Sequence, residues 1–155
     1  MGKGFPDGYY HTCTHDASEL TRWNSEAKNS FQNRLQWSVK TPDEVNHEPV
    51  AIVNDDKSNE IITLFAKPGK SITLDATKSS DPDRNNLTFK WFRYDEADTY
   101  DGSIELIDPT NPFQKLIVPS DLNEKTVHFV LEVRDNGTPE LVSYRRVIIK
   151  GKTTE

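Results

Sequence analysis

A strand, a polar loop and a second strand follow one another between residues 70 and 94, and this stretch constrains the fold more than any other. Ile72, Leu74 and Ala76 alternate with polar residues, which is the period of a half-buried strand. Residues 87–92 alternate in the same way and place Trp91 on one face. The loop between them is rich in Ser, Asp and Asn, whose side chains bond nearby backbone in turns. This pattern predicts a β-sandwich with Trp91 at its centre.

Six further segments have the length and the residue types of strands, with turn residues between them. They are residues 50–53, 61–65, 104–107, 113–118, 126–134 and 141–150. Together with the first two they predict an all-β, immunoglobulin-like β-sandwich of seven to eight strands. A disulfide inside the sandwich is excluded, because Cys13 is the only cysteine. We therefore expect packing around the Trp to replace it, with a core that includes Leu74, Phe89, Trp91, Phe129 and Leu131.

One amphipathic helix is predicted ahead of the sandwich. Its apolar residues fall at steps of three and four and end near residues 36–39, because Pro42 disfavours helix before it. The stripe consists of Leu20, Trp23, Ala27, Phe31 and Leu35, with Asp16 or Ser18 as N-cap. Such a stripe needs a partner. Two alternatives remain open: the helix packs over the sandwich, or it lies in the seam between the sandwich and a preceding domain.

Charge and hydropathy exclude several classes of partner. The net charge of −6 argues against electrostatic binding of nucleic acid. No apolar run is long enough for membrane insertion, and the first ten residues lack the apolar core of a signal peptide. His11, Cys13, His15 and Asp16 lie close together in the sequence, but their spacing matches no closed metal site. We interpret them as part of a surface loop.

Several motifs bring a family resemblance. Residues 74–83 read LDATKSSDPD and residues 87–91 read LTFKW, which resembles polycystic-kidney-disease-like (PKD-like) modules. Further motifs resemble the C-terminal module of bacterial proteins known as cellulose-binding proteins, which carry a nucleoside-hydrolase-like domain ahead of it. These motifs lie at residues 31–39 (FQNRLQWSV), 46–50 (NHEPV), 94–100 (YDEADTY), 118–119 (VP), 128–139 (HFVLEVRDNGTP) and 144–148 (YRRVI).

The resemblance implies a domain organisation, a location and a role. Residues 1–40 would be a loop and helix that form the tail of a preceding nucleoside-hydrolase-like domain, and residues 41–155 the sandwich. The parent protein would be secreted, periplasmic or at the cell surface. The chain would be a non-catalytic accessory module that binds polysaccharide or packs against the preceding catalytic domain. The alternative is a hydrolase fragment that helps to complete the active site of that domain.

Aromatic residues outside the core are candidates for carbohydrate binding. Strand alternation puts Phe92 and Tyr94 on the face opposite Trp91, and Tyr100 and Tyr144 are added as possible members of one platform. The alternative is that the helix or the missing domain covers this face. Arg145 and Arg146 are expected to pair with strand acids such as Glu132 rather than to bind phosphate.

Acidic residues in two turns are candidates for a calcium site, the only cofactor that the sequence suggests. Asp81 and Asp83, with Asp135 from a distant turn, offer the oxygen ligands that Ca²⁺ prefers. Pro82 breaks the EF-hand pattern, so the alternative is a turn held by Asx hydrogen bonds. No catalytic residues are predicted, because no motif positions paired carboxylates or a nucleophile.

Overall fold

The computed structural model describes residues 24–152, which form a β-sandwich preceded by one helix. The helix α1 spans Asn24–Trp37. The strands are β1 (Ile62–Ala66), β2 (Ser71–Asp75), β3 (Thr88–Arg93), β4 (Phe113–Ile117), β5 (Thr126–Arg134) and β6 (Val142–Gly151). Short 3-10 turns lie at Pro42–Glu44 and Asp95–Ala97.

Two sheets make up the sandwich. The larger has the strand order β1-β6-β5-β3, and the smaller pairs β2 with β4. All pairs are antiparallel except β1 with β6, which run parallel. The architecture confirms the predicted immunoglobulin-like sandwich, with six strands among residues 24–152 instead of seven to eight.

The core lies between the two sheets. Trp91 is 1% exposed, and Leu74, Phe129 and Leu131 are fully buried around it. Phe89 is partly buried and packs against this cluster. Val127 and Val133 are also fully buried, since the inward residues of β5 alternate along the strand. Burying side chains of this size stabilises the fold by about 1.5–3 kcal/mol each.

Two of the predicted strands are wrong. Residues 50–53 contain only isolated bridges, including one from Val50 to Ser80. Residues 104–107 form no strand, and just after them Pro109 O accepts the backbone N–H of Trp91 in β3 at 2.7 Å. Apolar residues of both segments reach the core, but no ladder forms: Ile52 and Val53 are buried, and Ile104 and Leu106 pack against the core cluster. An apolar segment can therefore be buried without pairing as a strand.

The helix docks on the sandwich through its polar side. Asn29 Nδ2 donates to Glu140 O at 3.1 Å, and Asn33 Nδ2 donates to Asn46 O at 2.9 Å. Arg134 donates to Glu26 at 2.7 Å. Within Asn24–Trp37, Asn33 is the buried residue. The helix is thus held by hydrogen bonds and an ion pair where the sequence suggested apolar packing.

The predicted apolar stripe points away from the sandwich. Ala27, Phe31 and Leu35 are all exposed, Phe31 by 64% and Leu35 by 55%. Leu20 and Trp23, the other members of the stripe, lie outside the described residues, as do both proposed N-caps. The helix ends at Trp37, within the predicted range.

Between residues 24 and 152, we find no helix with the length and apolar character needed to cross a bilayer. The division into a tail (1–40) and a sandwich (41–155) stays a prediction.

Candidate functional site

The outer face of the four-stranded sheet brings together most of the predicted aromatic residues. Phe92 lies opposite Val130 on β5, and Val130 lies opposite Arg146 on β6. In the next row Tyr144 lies opposite Glu132. Tyr144 is 38% exposed and Phe92 is half-buried. Register alone therefore places these side chains on one face, because side chains alternate along each strand.

Tyr94 joins this face through Arg146. The Arg146 guanidinium lies over the Tyr94 ring, 5.5 Å from its centroid, and also donates to Nδ1 of His128. Burial and the Arg146 charge hold the pKa of His128 below its usual value, with Asp98 opposing them. The imidazole is therefore neutral at pH 7, and it fixes the guanidinium that bridges Tyr94 to the sheet.

Tyr100 lies elsewhere. It is 6% exposed and belongs to the core, and its hydroxyl donates to Asp121 at 2.7 Å. That hydrogen bond, with burial, raises the pKa of the phenol. The two Arg93 terminal nitrogens donate to the carbonyls of Tyr100 and Gly102, at 2.7 Å each. Tyr100 thus anchors the loop after β3 and contributes nothing to the outer face.

Grooves border Tyr144 on two sides. One, of about 380 Å³, is lined by Asn59, Glu60, Ile61, Val130, Tyr144 and Arg146. The other, of about 510 Å³, runs past Glu48, Pro49 and Val50 to Tyr144 and Arg145. Burial and the neighbouring carboxylates, Glu132 before Glu26, raise the pKa of the Tyr144 phenol above its usual range. A neutral aromatic ring with polar groups on both sides is suited to contact a ligand that has apolar and hydroxyl-bearing surfaces.

The expected pairing of Arg145 and Arg146 with Glu132 is wrong. Glu132 instead accepts from Arg134 at 3.0 Å. Arg145 is buried and pairs with Asp56 at 2.9 Å. The β5–β6 register explains the difference, because it places Tyr144 opposite Glu132 and puts Arg145 on the other face.

The three candidate calcium ligands are used as hydrogen-bond acceptors. Asp81 Oδ1 accepts the backbone N–H groups of Asp83 and Asn85 at 2.8 and 3.0 Å. Asp83 accepts from the backbone N–H of His47 at 2.7 Å. Asp135 Oδ1 accepts the N–H groups of Gly137 and Leu141, at 3.0 and 2.8 Å.

The structure does not gather these aspartates into one cation cage. Between residues 24 and 152, no group of three or more His, Cys, Asp or Glu side chains is arranged to hold a metal ion. The turn geometry matches the Asx alternative.

A buried amide links these turns to the helix. Asn46 Nδ2 donates to Asp135 Oδ2 at 2.8 Å and to Pro139 O at 2.9 Å. Its Oδ1 accepts from Asn85 at 2.8 Å, and its carbonyl accepts from Asn33. Asn46 therefore has a structural role at this end of the sandwich.

Sequence reasoning missed a second aromatic site at the C-terminal end of α1. Trp37 is 55% exposed, and its ring centroid lies 5.7 Å from that of His47, with the planes inclined by 51°. His47 Nδ1 lies 2.9 Å from Asp83 Oδ1, which orients the imidazole. A groove of about 570 Å³ is lined by Ser30, Asn33, Arg34, Trp37, His47, Glu48 and Pro82. In the sequence, Trp37 lies off the apolar stripe, and Trp37 and His47 belong to two of the family motifs, but nothing indicates that their rings meet.

Comparison with known proteins gives the chain a family. Residues 71–151 match the model for the "Cellulose-binding protein Sde0182, C-terminal domain". A solved structure of a nucleoside hydrolase-related hypothetical protein from Saccharophagus degradans, described as associated with carbohydrate metabolism, is 38% identical, with a TM-score of 0.82. That match covers 85% of this chain and 32% of the other, so this chain spans about a third of its relative.

More distant structures are also similar. The PKD domain from KIAA 1837 protein is 24% identical, with a TM-score of 0.42 over 61% of this chain and 84% of that domain. No curated protein matches the chain. Since the family match covers just over half of the 155 residues, the chain belongs to the family of the cellulose-binding protein Sde0182 C-terminal domain.

Proposed function

We propose that this chain is a non-catalytic accessory module of a glycan-active protein and that it binds carbohydrate around Tyr144. The observation that carries the proposal is the position of Tyr144, partly exposed between two grooves on the outer face of the larger sheet. An aromatic ring offers an apolar surface to the C–H face of a sugar, while groups such as Asn59 and Glu60 offer hydrogen bonds to its hydroxyls. Phe92, in β3, and Tyr94, directly after β3, lie on the same face and are further candidates for contact with the ligand.

The family description and the carbohydrate association of the similar S. degradans protein support the same class of ligand. Since cellulose is found outside cells, we place the module in a secreted, periplasmic or cell-surface protein. The chain itself would cleave neither glycosides nor nucleosides, because the two carboxylates beside Tyr144, Glu26 and Glu132, are both held in ion pairs with Arg134 rather than free for acid and base work. Release of reducing sugar or free base by the pure chain would contradict this.

Binding to insoluble cellulose tests the proposal. We expect the wild-type chain to bind and Tyr144→Ala to bind about tenfold more weakly, equivalent to about 1.4 kcal/mol. Phe113→Ala is the matched control, because Phe113 is 44% exposed on β4 in the smaller sheet. Equal binding by all three proteins, or binding by none, would contradict the proposal.

A second candidate function, packing against a preceding domain, rests on the exposed stripe of α1. Phe31 and Leu35 are neighbours on the helix surface and point away from the sandwich. The opposite side of the helix is already hydrogen-bonded to the sandwich. The match to the S. degradans structure covers 85% of this chain, whereas residues 41–155 make up only about three quarters of it. The match therefore includes residues ahead of the sandwich. About two thirds of that relative lies outside the match, which leaves a domain available to cover the stripe.

Mixing the chain with a separately produced preceding domain tests this second candidate. Wild type should form a complex that Phe31→Ser abolishes, while Gln32→Ser, an exposed neighbour, should retain it. If the module also helps to complete the active site of that domain, its addition should raise hydrolytic kcat. If Phe31→Ser formed the complex as well as wild type, the stripe would not be part of the interface.

A further inference from the structure

We infer that the grooves form one extended channel from Tyr144 to Trp37, and that the ligand is a linear, uncharged glycan chain rather than a single sugar or a chain end. Trp37 is then a second aromatic contact at the far end of the channel. This inference rests on the proposed carbohydrate binding at Tyr144 and extends it to Trp37, which was not among the predicted ligand-binding residues.

Continuity follows from the residues that neighbouring grooves share. Asn59 and Tyr144 line both the groove of about 380 Å³ and that of about 510 Å³. Glu48 then lines both the second groove and the one of about 570 Å³. Trp37 and His47 line this third groove and a terminal pocket of about 120 Å³. The grooves therefore follow one another along the module, an arrangement that suits a polymer segment.

The far end is pre-organised. The backbone N–H of His47 donates to Asp83 Oδ2 at 2.7 Å, and Nδ1 lies within hydrogen-bond distance of both Asp83 oxygens. The imidazole therefore holds a fixed position against Trp37. Because Asn33 ties α1 to the sandwich, the end of the helix that carries Trp37 is also held against the rest of the module. A fixed aromatic surface loses little conformational entropy on binding.

The charges along the channel favour a neutral ligand. Arg145 is paired with Asp56, and Arg146 is engaged by His128 and Tyr94. The other charged lining residues are of both signs: Arg34 and Lys40 are basic, while Glu48 and Glu60 are acidic. Such a mixture offers donors and acceptors to hydroxyl groups without a field of one sign, and a polyanion would also meet the net charge of −6.

A series of cello-oligosaccharides tests the length of the site by calorimetry. We expect affinity to rise from cellobiose through cellotetraose to cellohexaose. Trp37→Ala should weaken cellohexaose binding about tenfold and leave cellobiose binding at Tyr144 unchanged, whereas Tyr144→Ala should weaken both. Trp37→Tyr, which keeps an aromatic surface, should restore most of the loss. Polygalacturonate, a polyanion, should bind more weakly than cellohexaose.

Phe31→Ala is the matched control, because Phe31 is an exposed aromatic on the same helix that does not line the groove. Its affinities should equal those of wild type, and unchanged thermal unfolding of Trp37→Ala should confirm that the helix stays docked. Cellohexaose binding that depends on Tyr144 but not on Trp37 would overturn the channel and leave the proposed function intact. The absence of binding to every oligosaccharide and to cellulose would overturn both.

Discussion

Asn33 on helix α1 donates from Nδ2 to the backbone carbonyl of Asn46, 2.9 Å away, and both residues are buried. Asn46 in turn bonds Asp135, Asn85 and the carbonyl of Pro139. Through Asn46, this contact joins the helix to two separate turns of the sandwich, residues 135–139 and the turn that contains Asn85. It explains how a helix can be held firmly while its apolar stripe faces outward.

Replacing Asn33 by Ala should loosen the helix. The change leaves a buried carbonyl without its donor, which costs about 1–3 kcal/mol. We expect a lower melting temperature and faster amide hydrogen exchange across Asn24–Trp37. Gln32→Ala, at an exposed position next to it, should change neither. Exchange in α1 that is equally slow in both variants would show that this bond does not hold the helix.

Trp91→Ala should unfold or aggregate the protein. Trp91 is 1% exposed at the centre of the core, and its removal should cost about 3–5 kcal/mol, a large share of the stability of an ordinary domain. Thermal unfolding followed by circular dichroism measures the effect. A cooperative melt close to that of wild type would mean that the sandwich does not depend on this side chain.

Calcium should have little effect on stability. Asp81, Asp83 and Asp135 each accept backbone hydrogen bonds within the turns, and the three do not form a group arranged to hold a metal ion. A bound ion at a hundredfold excess over its Kd would stabilise the fold by about 2.7 kcal/mol. We expect equal melting temperatures in Ca²⁺ and in EDTA. An EDTA-sensitive shift that disappears in Asp81→Ala would instead identify a metal site.

Stability should fall below about pH 6.5 because of His128. Its pKa is lowered in the folded state by burial and by Arg146, against an ordinary value of 6.5. Between those two pKa values the unfolded chain binds a proton that the folded chain does not, so the free energy of unfolding decreases as pH falls. Above 6.5 this contribution is constant.

Urea unfolding of wild type and His128→Gln across this range measures the effect. In the variant, the free energy of unfolding should no longer decrease as the pH falls through this range. Carboxylates do not confuse the measurement, because they titrate at lower pH, near about 4. The same slope in both proteins would show that His128 does not cause it.

The sandwich could be predicted because alternation is a local signal. It located β5 to the residue and the other strands to within one or two positions. It failed at 50–53 and 104–107, because apolar residues can be buried without a hydrogen-bonded neighbouring strand. Alternation also does not predict the register between neighbouring strands, so the partners of Arg145 and Arg146 were predicted incorrectly.

The candidate site was less predictable, because it depends on contacts distant in sequence. Alternation put Phe92 and Tyr94 on the outer face, yet it could not show that Tyr100 turns into the core against Asp121. The Trp37 groove joins the end of α1 to the turn at Pro82. An apolar stripe signals that a helix has a partner but not which one, so the polar docking of α1 was not foreseen.

The most direct test of carbohydrate binding at Tyr144 is an NMR titration of the isotope-labelled chain with cellohexaose. Binding at this face should shift the backbone amides of Val130, Tyr144 and Arg146, with a second set of changes at Trp37 and His47. The amides of β2 and β4, on the other side of the sandwich, should stay unchanged. Shifts confined to β2 and β4, or no shifts even at the highest cellohexaose concentration reached, would contradict carbohydrate binding at Tyr144.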